Sequence, residues 1–65
     1  MVYFGTPDGD IMRLRAGITG DSIRPEFLAH IVDAPLFGLA WIDESTLAIA
    51  ASGSIHSLNL VNLEV

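Results

Sequence analysis

Residues 39–60, LAWIDESTLAIAASGSIHSLNL, contain three short apolar runs separated by two polar breaks. The runs are rich in aliphatic residues, and the breaks, DES and SG, consist of residues that favour turns. This alternation of short apolar runs and tight breaks is typical of an antiparallel meander. The stretch therefore predicts strands over residues 36–42, 46–51 and 55–60, with Asp43 and Gly53 in the turns between them.

The beginning of the chain contains a second predicted hairpin. Residues 2–6, VYFGT, and 11–16, IMRLRA, flank the sequence PDGD. Proline fixes φ at the first central position of a turn, and Gly9 can adopt the left-handed conformation that closes it. We therefore predict two strands joined by a turn that contains Asp8 and Gly9, followed by a loop over residues 16–25.

Residues 26–33, EFLAHIVD, fit two different structures. Pro25 and the apolar residues that follow it suit a short helix, but eight residues are also compatible with a strand. A strand gives an all-β chain, whereas a helix gives a small α+β protein with the order ββαβββ. We favour the strand because of the internal repeat described below, and Pro35 ends the segment in either case.

Composition indicates a chain that exposes more apolar surface than it can bury. It has 65 residues, 51% of them hydrophobic, a mean hydropathy of +0.51 and no cysteine. A domain of this size buries only about 60% of its unfolded surface, and without cysteine no disulfide or thiolate metal site can stabilise it. We therefore expect association with other copies, with a protein partner or with the rest of a longer chain.

Charge and hydropathy exclude several classes of partner. The net charge is −5, with three arginines and no lysine, so we expect no nucleic-acid binding. No apolar run approaches the ~18 residues of a membrane helix, and the opening residues MVYFGTPDGD lack the pattern of a secretory signal. We expect no membrane partner and an intracellular, cytoplasmic location.

The predicted strand over residues 36–42 is apolar on both faces. Phe37, Leu39 and Trp41 alternate with Gly38, Ala40 and Ile42. A sheet with one face in water would show polar residues at every second position. We therefore expect both faces of this sheet to be covered.

An internal repeat appears when the chain is shifted by 44 residues. GDIMRL at 9–14 then aligns with GSIHSL at 53–58, and the glycine, the isoleucine and the leucine match. With one residue of slack in the turn, VYFGT at 2–6 aligns with LAIAA at 47–51. A period in the forties with several strands in each unit is typical of β-propeller blades.

On these residues the chain resembles the WD-repeat family of β-propellers. LFGLAWIDESTLAIAASGSIHSLNL looks like the first three strands of a blade, with Leu58-Asn59 where the family usually has Trp-Asp. Ala29-His30 lies about two residues from the place of the family's Gly-His pair, and Ser52 lies near that of its turn aspartate. The resemblance implies an all-β fold made of two partial blades: the second to fourth strands in 1–33 and the first to third in 34–65.

The resemblance also implies a function. It is that of a non-catalytic scaffold for protein–protein interaction, in which rigid strands present loops to partners. A propeller needs roughly four to eight blades to close. We therefore expect this chain to be a fragment or a part of a larger assembly, completed by the remaining blades of a longer chain, by other copies or by a protein partner.

The sequence contains no strong catalytic, metal-binding or cofactor-binding motif. Asp8 and Asp10 resemble part of a calcium loop, but the further ligands such a loop needs are missing, so we predict a plain turn. The serines do not lie in a G-x-S-x-G elbow. We predict core or structural roles for His30, Trp41 and His56, and we expect Arg13 and Arg15 to pair with acids across the sheet.

The alternative function belongs to the α+β structure. It is a self-contained, small acidic protein that acts as a binding partner or inhibitor and forms homo-oligomers. The segment 26–33 distinguishes the two structures, because only this alternative places a helix there.

Overall fold

The computed structural model describes residues 2–15 and 24–65. These residues form two antiparallel three-stranded sheets, and no helix occurs within the two ranges. Each sheet is a meander in which neighbouring strands are consecutive in the chain. The first sheet contains β1 (Val2–Gly5), β2 (Asp10–Leu14) and β3 (Glu26–His30), and the second contains β4 (Leu36–Asp43), β5 (Thr46–Ala51) and β6 (Ser54–Asn59). The prediction of an all-β, antiparallel fold is confirmed.

The segment 26–33 contains a strand, so the helix of the α+β alternative is wrong. β3 pairs with β2, which places Glu26 opposite Arg13 and His30 opposite Asp10. In this pairing, β2 supplies hydrogen-bond partners for the backbone of β3. A helix of eight residues would have to pair its backbone groups within itself, and such short helices are marginal in water. The strand ends at His30, three residues before the predicted end, and most of the predicted loop over 16–25 lies outside the described residues.

The β1–β2 turn and the β5–β6 turn each contain a glycine in the left-handed region, with φ of 88° at Gly9 and 77° at Gly53. In the first turn the Thr6 carbonyl accepts the Gly9 N–H at 3.1 Å, and the Thr6 N–H donates to the Asp10 carbonyl at 3.0 Å. A Cβ at Gly9 would lie 1.5 Å from the carbonyl oxygen of Val32. Glycine is therefore required at position 9 for two reasons: φ is positive there, and the chain between β3 and β4 passes too close to leave room for a side chain.

The hydrophobic core lies between the two sheets. Ile11 from the first sheet and Leu47, Ile49 and Leu58 from the second are almost completely shielded from solvent. Gly5 lets β1 approach β4 closely, since a Cβ there would lie 2.7 Å from the Cβ of Leu36. Each large aliphatic side chain buried in this layer contributes about 1.5–3 kcal/mol.

Only one face of each sheet is covered by the other sheet. The expectation that both faces of the β4–β5–β6 sheet are covered is therefore not met within the described chain. In those same residues, no helix is long and apolar enough to cross a membrane.

Candidate interaction surfaces

The two faces of the β4–β5–β6 sheet differ in side-chain size. Towards the core, Leu47 lies opposite Leu58, and Ile49 lies opposite Leu39. Successive side chains of a strand point to opposite faces, so the residues between them point outwards. The outward rows are Gly38–Ala50–Ile55 and Ala40–Ala48–Ser57. This sheet therefore has a large face towards the core and, along these two rows, a small face towards the outside. Phe37 and Ile42, at the irregular pairings of β4, are 71% and 60% exposed.

The β1–β2–β3 sheet turns residues of mixed size towards the core. The row Gly5–Ile11–Ala29 lies beside the pair Tyr3–Arg13, and Tyr3, Leu28 and Ala29 pack against the core cluster. Its outward residues include the large apolar row Phe4–Met12–Phe27, the pair Val2–Leu14 and, at one end, the pair Asp10–His30. Within the chain, this mixed face of the first sheet packs against the large face of the second.

Among residues 2–15 and 24–65, nothing covers the outward face of either sheet. We call the outward apolar residues of the first sheet the open large face, and the two outward rows of the second sheet the open small face. Val2 and Phe27 on the open large face are 58% and 59% exposed, and Ile55 on the open small face is 81% exposed. The members of the open large face are Val2, Phe4, Met12, Leu14 and Phe27, and those of the open small face are Gly38, Ala40, Ala48, Ala50, Ile55 and Ser57.

On the outward side of the first sheet, ionisable groups lie at one end, where Asp10 pairs with His30, and the members of the open small face are uncharged. The open small face has a shallow apolar depression of about 310 Å³, lined chiefly by its glycine, its alanines and Ile55. The acids of the two sheets lie at strand ends, as Asp10, Glu26 and Asp43 do. The chain thus presents apolar faces that are bordered by a charged rim.

His30 organises one part of this rim. Its Nδ1 lies 2.7 Å from Oδ1 of Asp10, and its Nε2 lies 2.7 Å from Oδ1 of Asp33. The hydrogen bonds to Asp10 and Asp33 raise the pKa of His30 above its ordinary value. The side chain is 47% exposed, so His30 lies outside the core, at the end of β3, where it joins β2 to the segment that leads to β4.

Trp41 also lies outside the core, and a core role for it is wrong. It is 55% exposed because it lies on β4, an edge strand, where the ring of Tyr3 covers only part of it. The two rings meet edge to face with centroids 5.6 Å apart. Trp41 therefore closes one border of the layer between the sheets.

A second ion-pair cluster lies beside this border. Glu26 accepts a hydrogen bond from Arg13 at 2.7 Å and lies 3.0 Å from Nε of Arg15, so both arginines pair with one acid across the sheet, as predicted. The bond with Arg13 lowers the pKa of Glu26, and that with Glu26 raises the pKa of Arg13. Arg13 has only 22% of its side chain exposed, so its stem also packs against the sheet.

The two turn residues of the second sheet have local structural contacts. Oδ1 of Asp43 accepts the Ser45 N–H at 2.9 Å, and this bond is the main cause of the lowered pKa of Asp43. Gly53 has open space around it, unlike Gly9. Asp8 is exposed in the first turn. These contacts shape the turns and bring no reactive groups together.

His56 forms the nearest approach to catalytic geometry in the described residues. Its Nε2 lies 2.8 Å from Oγ of Ser54, on strand β6. A serine nucleophile also needs an acid that orients the histidine. In the parts of the chain that the structure describes, no carboxylate forms a hydrogen bond with His56, and no group of three or more His, Cys, Asp or Glu could hold a metal ion.

Comparisons with protein-family models, with curated proteins and with solved structures gave no match to this chain. The resemblance to the WD-repeat family therefore remains a prediction. The functional argument depends on the surfaces themselves, of which the two open faces are the most extensive.

Sequence reasoning missed the orientation of these faces. It recognised small residues on one side of the second sheet, but not that the first sheet presents Phe4, Met12 and Phe27 outwards. The repeat carries no clear signal for this, because in its two copies, VYFGT and LAIAA, the large Tyr3 aligns with the small Ala48. Reading which copy faces inwards required the packed structure.

Proposed function

We propose that the chain is a non-catalytic assembly module, a propeller-like sheet segment that binds protein through its open sheet faces. The observation that carries this proposal is that both outward faces of the two-sheet unit are predominantly apolar, with ionisable groups at one end of the first. Monomeric proteins rarely expose contiguous apolar patches beyond a few hundred Å². A partner that covers these faces removes Val2, Phe27 and Ile55 from water.

The class of partner follows from the shape of the faces. A sheet face is best covered by another sheet, because two sheets pack about 10 Å apart with their side chains interleaved. The partner is therefore a protein that presents a sheet: further blades of a longer chain, another copy or a different β protein. The acidic rim disfavours nucleic acid, and we propose an intracellular, cytoplasmic setting for this assembly.

The propeller-like element of the proposal is supported by the arrangement of the two meanders. They follow one another in the chain, pack face to face and have left-handed glycines at the two positions that the repeat aligns, Gly9 and Gly53. Consecutive small sheets that pack in this way are the building principle of propellers.

Site-specific photo-cross-linking in the cells that naturally produce the chain tests the proposal. A photoreactive phenylalanine analogue replaces Phe27 in one variant and Ile55 in another, and a matched control carries it at Asp8, an exposed turn residue outside both faces. We expect protein adducts from both face positions and few from the control, because only the faces are covered. The mass of each adduct identifies the class of partner.

The proposed function would be overturned if neither face position gave a protein adduct although the photoreactive group had reacted efficiently with water. Equal adduct yields from the face variants and from the Asp8 control would do the same, since they would indicate random collision. Far-ultraviolet circular dichroism of each purified variant verifies that the strands are retained.

A further inference from the structure

Strand β6 lies at an edge of the second sheet, with β5 on one side of it. In an antiparallel pair the N–H and C=O groups of one residue point to the same side, and those of the next residue point to the other. The Leu60 N–H donates to the Ser45 carbonyl at 2.7 Å, and the pairing of β6 with β5 is regular along the whole strand. The backbone groups of Ile55 and Ser57 therefore point away from β5, and we call these four groups the β6 edge.

The chain itself begins a pairing at one end of this edge. Residues 60–63 turn back, and the Asn59 N–H donates to the Glu64 carbonyl at 2.9 Å in an antiparallel bridge. The Asn59 side chain holds this turn, because its Oδ1 accepts the Val61 N–H at 2.8 Å. A backbone segment therefore fits beside β6 in the antiparallel direction. Among the described residues, nothing pairs with the β6 edge beyond this bridge.

The first sheet contains the counterpart of this edge, and there it is covered. The shift of 44 residues places Ile11 of β2 on Ile55 of β6. The Thr6 N–H donates to the Asp10 carbonyl, so the backbone groups of Asp10 point towards β1 and those of Ile11 point away from it. Ile11 pairs on that side with Ala29 of β3. An antiparallel strand thus occupies in the first sheet the position that is open in the second.

The other three edge strands have features that discourage pairing with a further strand. β1 is only four residues long, β3 has a bulge and ends on Glu26 and His30, and β4 has irregular pairings near both ends. Short length, bulges and charged residues are the usual means by which sheets avoid edge-to-edge association. β6 has six regular pairs and contains no Asp, Glu, Lys, Arg or Pro. Among the strands of the described ranges, β6 is therefore the edge best suited to accept another strand.

We propose that the β6 edge binds an extended peptide segment of a protein partner, which joins the second sheet as an additional antiparallel strand. The N–H and C=O groups of the segment pair with those of Ile55 and Ser57. In this mode of recognition, main-chain hydrogen bonds give affinity and alternate side chains give specificity. The site goes beyond the proposed function, because it uses backbone groups at a strand edge and not the side chains of the open faces.

Two features of the surroundings select the segment. The side chain of Ile55 is 81% exposed, so an apolar residue placed opposite it gains a cross-strand contact. The chain has a net charge of −5, and the exposed Glu64 lies at the end of the edge, so a basic segment is attracted and an acidic one is repelled. The ligand is therefore a neutral or basic strand with apolar residues at alternate positions and no proline on the side that faces β6.

NMR titration of the isotope-labelled full chain with a synthetic peptide tests this site. The probe is a short peptide in which valine and threonine alternate between terminal lysines. N-methyl groups along one side of the probe leave it a single hydrogen-bonding edge, so it does not aggregate. A peptide of the same sequence that is methylated at every residue is the control, because it has no N–H group to donate.

We expect the probe to shift the amide signals of Ile55 and Ser57 and to slow their hydrogen exchange at least tenfold. Exchange at His56 and Leu58 should change little, because their N–H groups already pair with β5. The fully methylated peptide should have no effect.

A matched pair of variants at one position separates the backbone from the side chain. Ser57→Pro removes an N–H that lies outside the ladder with β5, a position where an edge strand tolerates proline, and it should weaken binding of the probe at least tenfold. Ser57→Ala keeps the N–H and should bind like the wild type. Should Ser57→Pro not fold, a chemically synthesised chain with an N-methyl group at Ser57 takes its place.

The strand site is wrong if the probe causes no shift up to about 1 mM, if the largest shifts lie away from β6, or if Ser57→Pro binds as well as Ser57→Ala. Slow exchange at Ile55 and Ser57 in a concentrated sample without probe would mean that two copies pair through β6, and it would overturn the choice of partner. Cross-linking from Phe27 in cells tests the open large face and the titration tests the edge, so either proposal can fail while the other stands.

Discussion

The layer between the two sheets and the two open faces are built from the same kinds of residue, yet one is the core and the others face water. Ile49 and Ile55 illustrate this comparison on neighbouring strands, since the first is fully buried and the second is 81% exposed. Hydrophobicity alone does not distinguish them. Burial is decided by which face has a second sheet packed against it. The open faces therefore resemble the core in their apolar composition but have no sheet packed on them.

Truncation of one isoleucine in each environment should give the largest difference. Ile49→Ala removes three carbons from the filled layer and should lower the free energy of unfolding by about 2–5 kcal/mol. A chain of this length has only about 3–10 kcal/mol in total, so much of the variant should be unfolded. Ile55→Ala, studied where the chain is monomeric, should change it by less than about 0.5 kcal/mol. Urea unfolding followed by circular dichroism measures both; equal losses would contradict the comparison.

The two turn glycines test how far the packed layer extends beyond the strands. Gly9→Ala should cost about 3 kcal/mol, because it combines a positive φ with a clash against the Val32 carbonyl. Gly53→Ala also places an alanine at a positive φ, but its Cβ meets open space, so it should cost only about 1 kcal/mol. The midpoints of urea unfolding give this difference, and an equal cost at the two sites would show that φ alone matters.

Glycines on the two kinds of face should respond with opposite signs. Gly5→Ala places a Cβ against Leu36 in the core layer and should destabilise the monomer by about 1–2 kcal/mol. Gly38→Ala places a Cβ in open space on the open small face and should stabilise the monomer by about 0.5 kcal/mol, because alanine loses less entropy on folding. Thermal unfolding of dilute samples checks the two signs.

The smallest expected effect belongs to the rim, where the exposed His30 cluster joins β2 and β3. Because the folded pKa of His30 is raised, its contribution to stability is fully present below the unfolded pKa and is lost as pH rises through the folded pKa. The difference in melting temperature between the wild type and His30→Gln should therefore be larger at about pH 5 than at about pH 9. A difference that grows with pH would show that the paired carboxylates do not favour the charged imidazole.

The same cluster gives a graded test by NMR titration. The hydrogen bond to Asp10 is the main cause of the raised pKa of His30, and the bond to the more exposed Asp33 follows. Asp10→Asn should therefore lower the titration midpoint of His30 more than Asp33→Asn does. The opposite order would place the stronger contact on the segment that follows β3.

Most strands were predictable because their signals are local. The apolar runs and turn residues place β5 at its predicted bounds and the other strands within a few residues of theirs. The strand at Glu26–His30 was the least secure prediction, since eight residues do not separate a helix from a strand. It is a strand because β2 offers a free edge for pairing, a contact between residues that lie far apart in the sequence.

The roles of individual side chains were predicted less well than the strands. Trp41 was expected in the core as a large aromatic residue, and it lies at a border because β4 is an edge strand. His30 was expected in a core or structural role, and it takes the structural one at the rim. The pairing of Arg13, in β2, and Arg15, just after its end, with an acid was predictable, because residues two apart in an extended chain lie on the same side.

By itself, the sequence determined most of the strands, the need for Gly9 and Gly53 in two of the turns, and the apolar character of both sides of the strands. Those properties follow from local propensity and from alternation along single strands. Only the tertiary structure decided that Glu26–His30 is a strand and which side of each sheet faces the core. Both depend on contacts between residues that lie far apart in the sequence, and the packing leaves one largely apolar side of each sheet exposed.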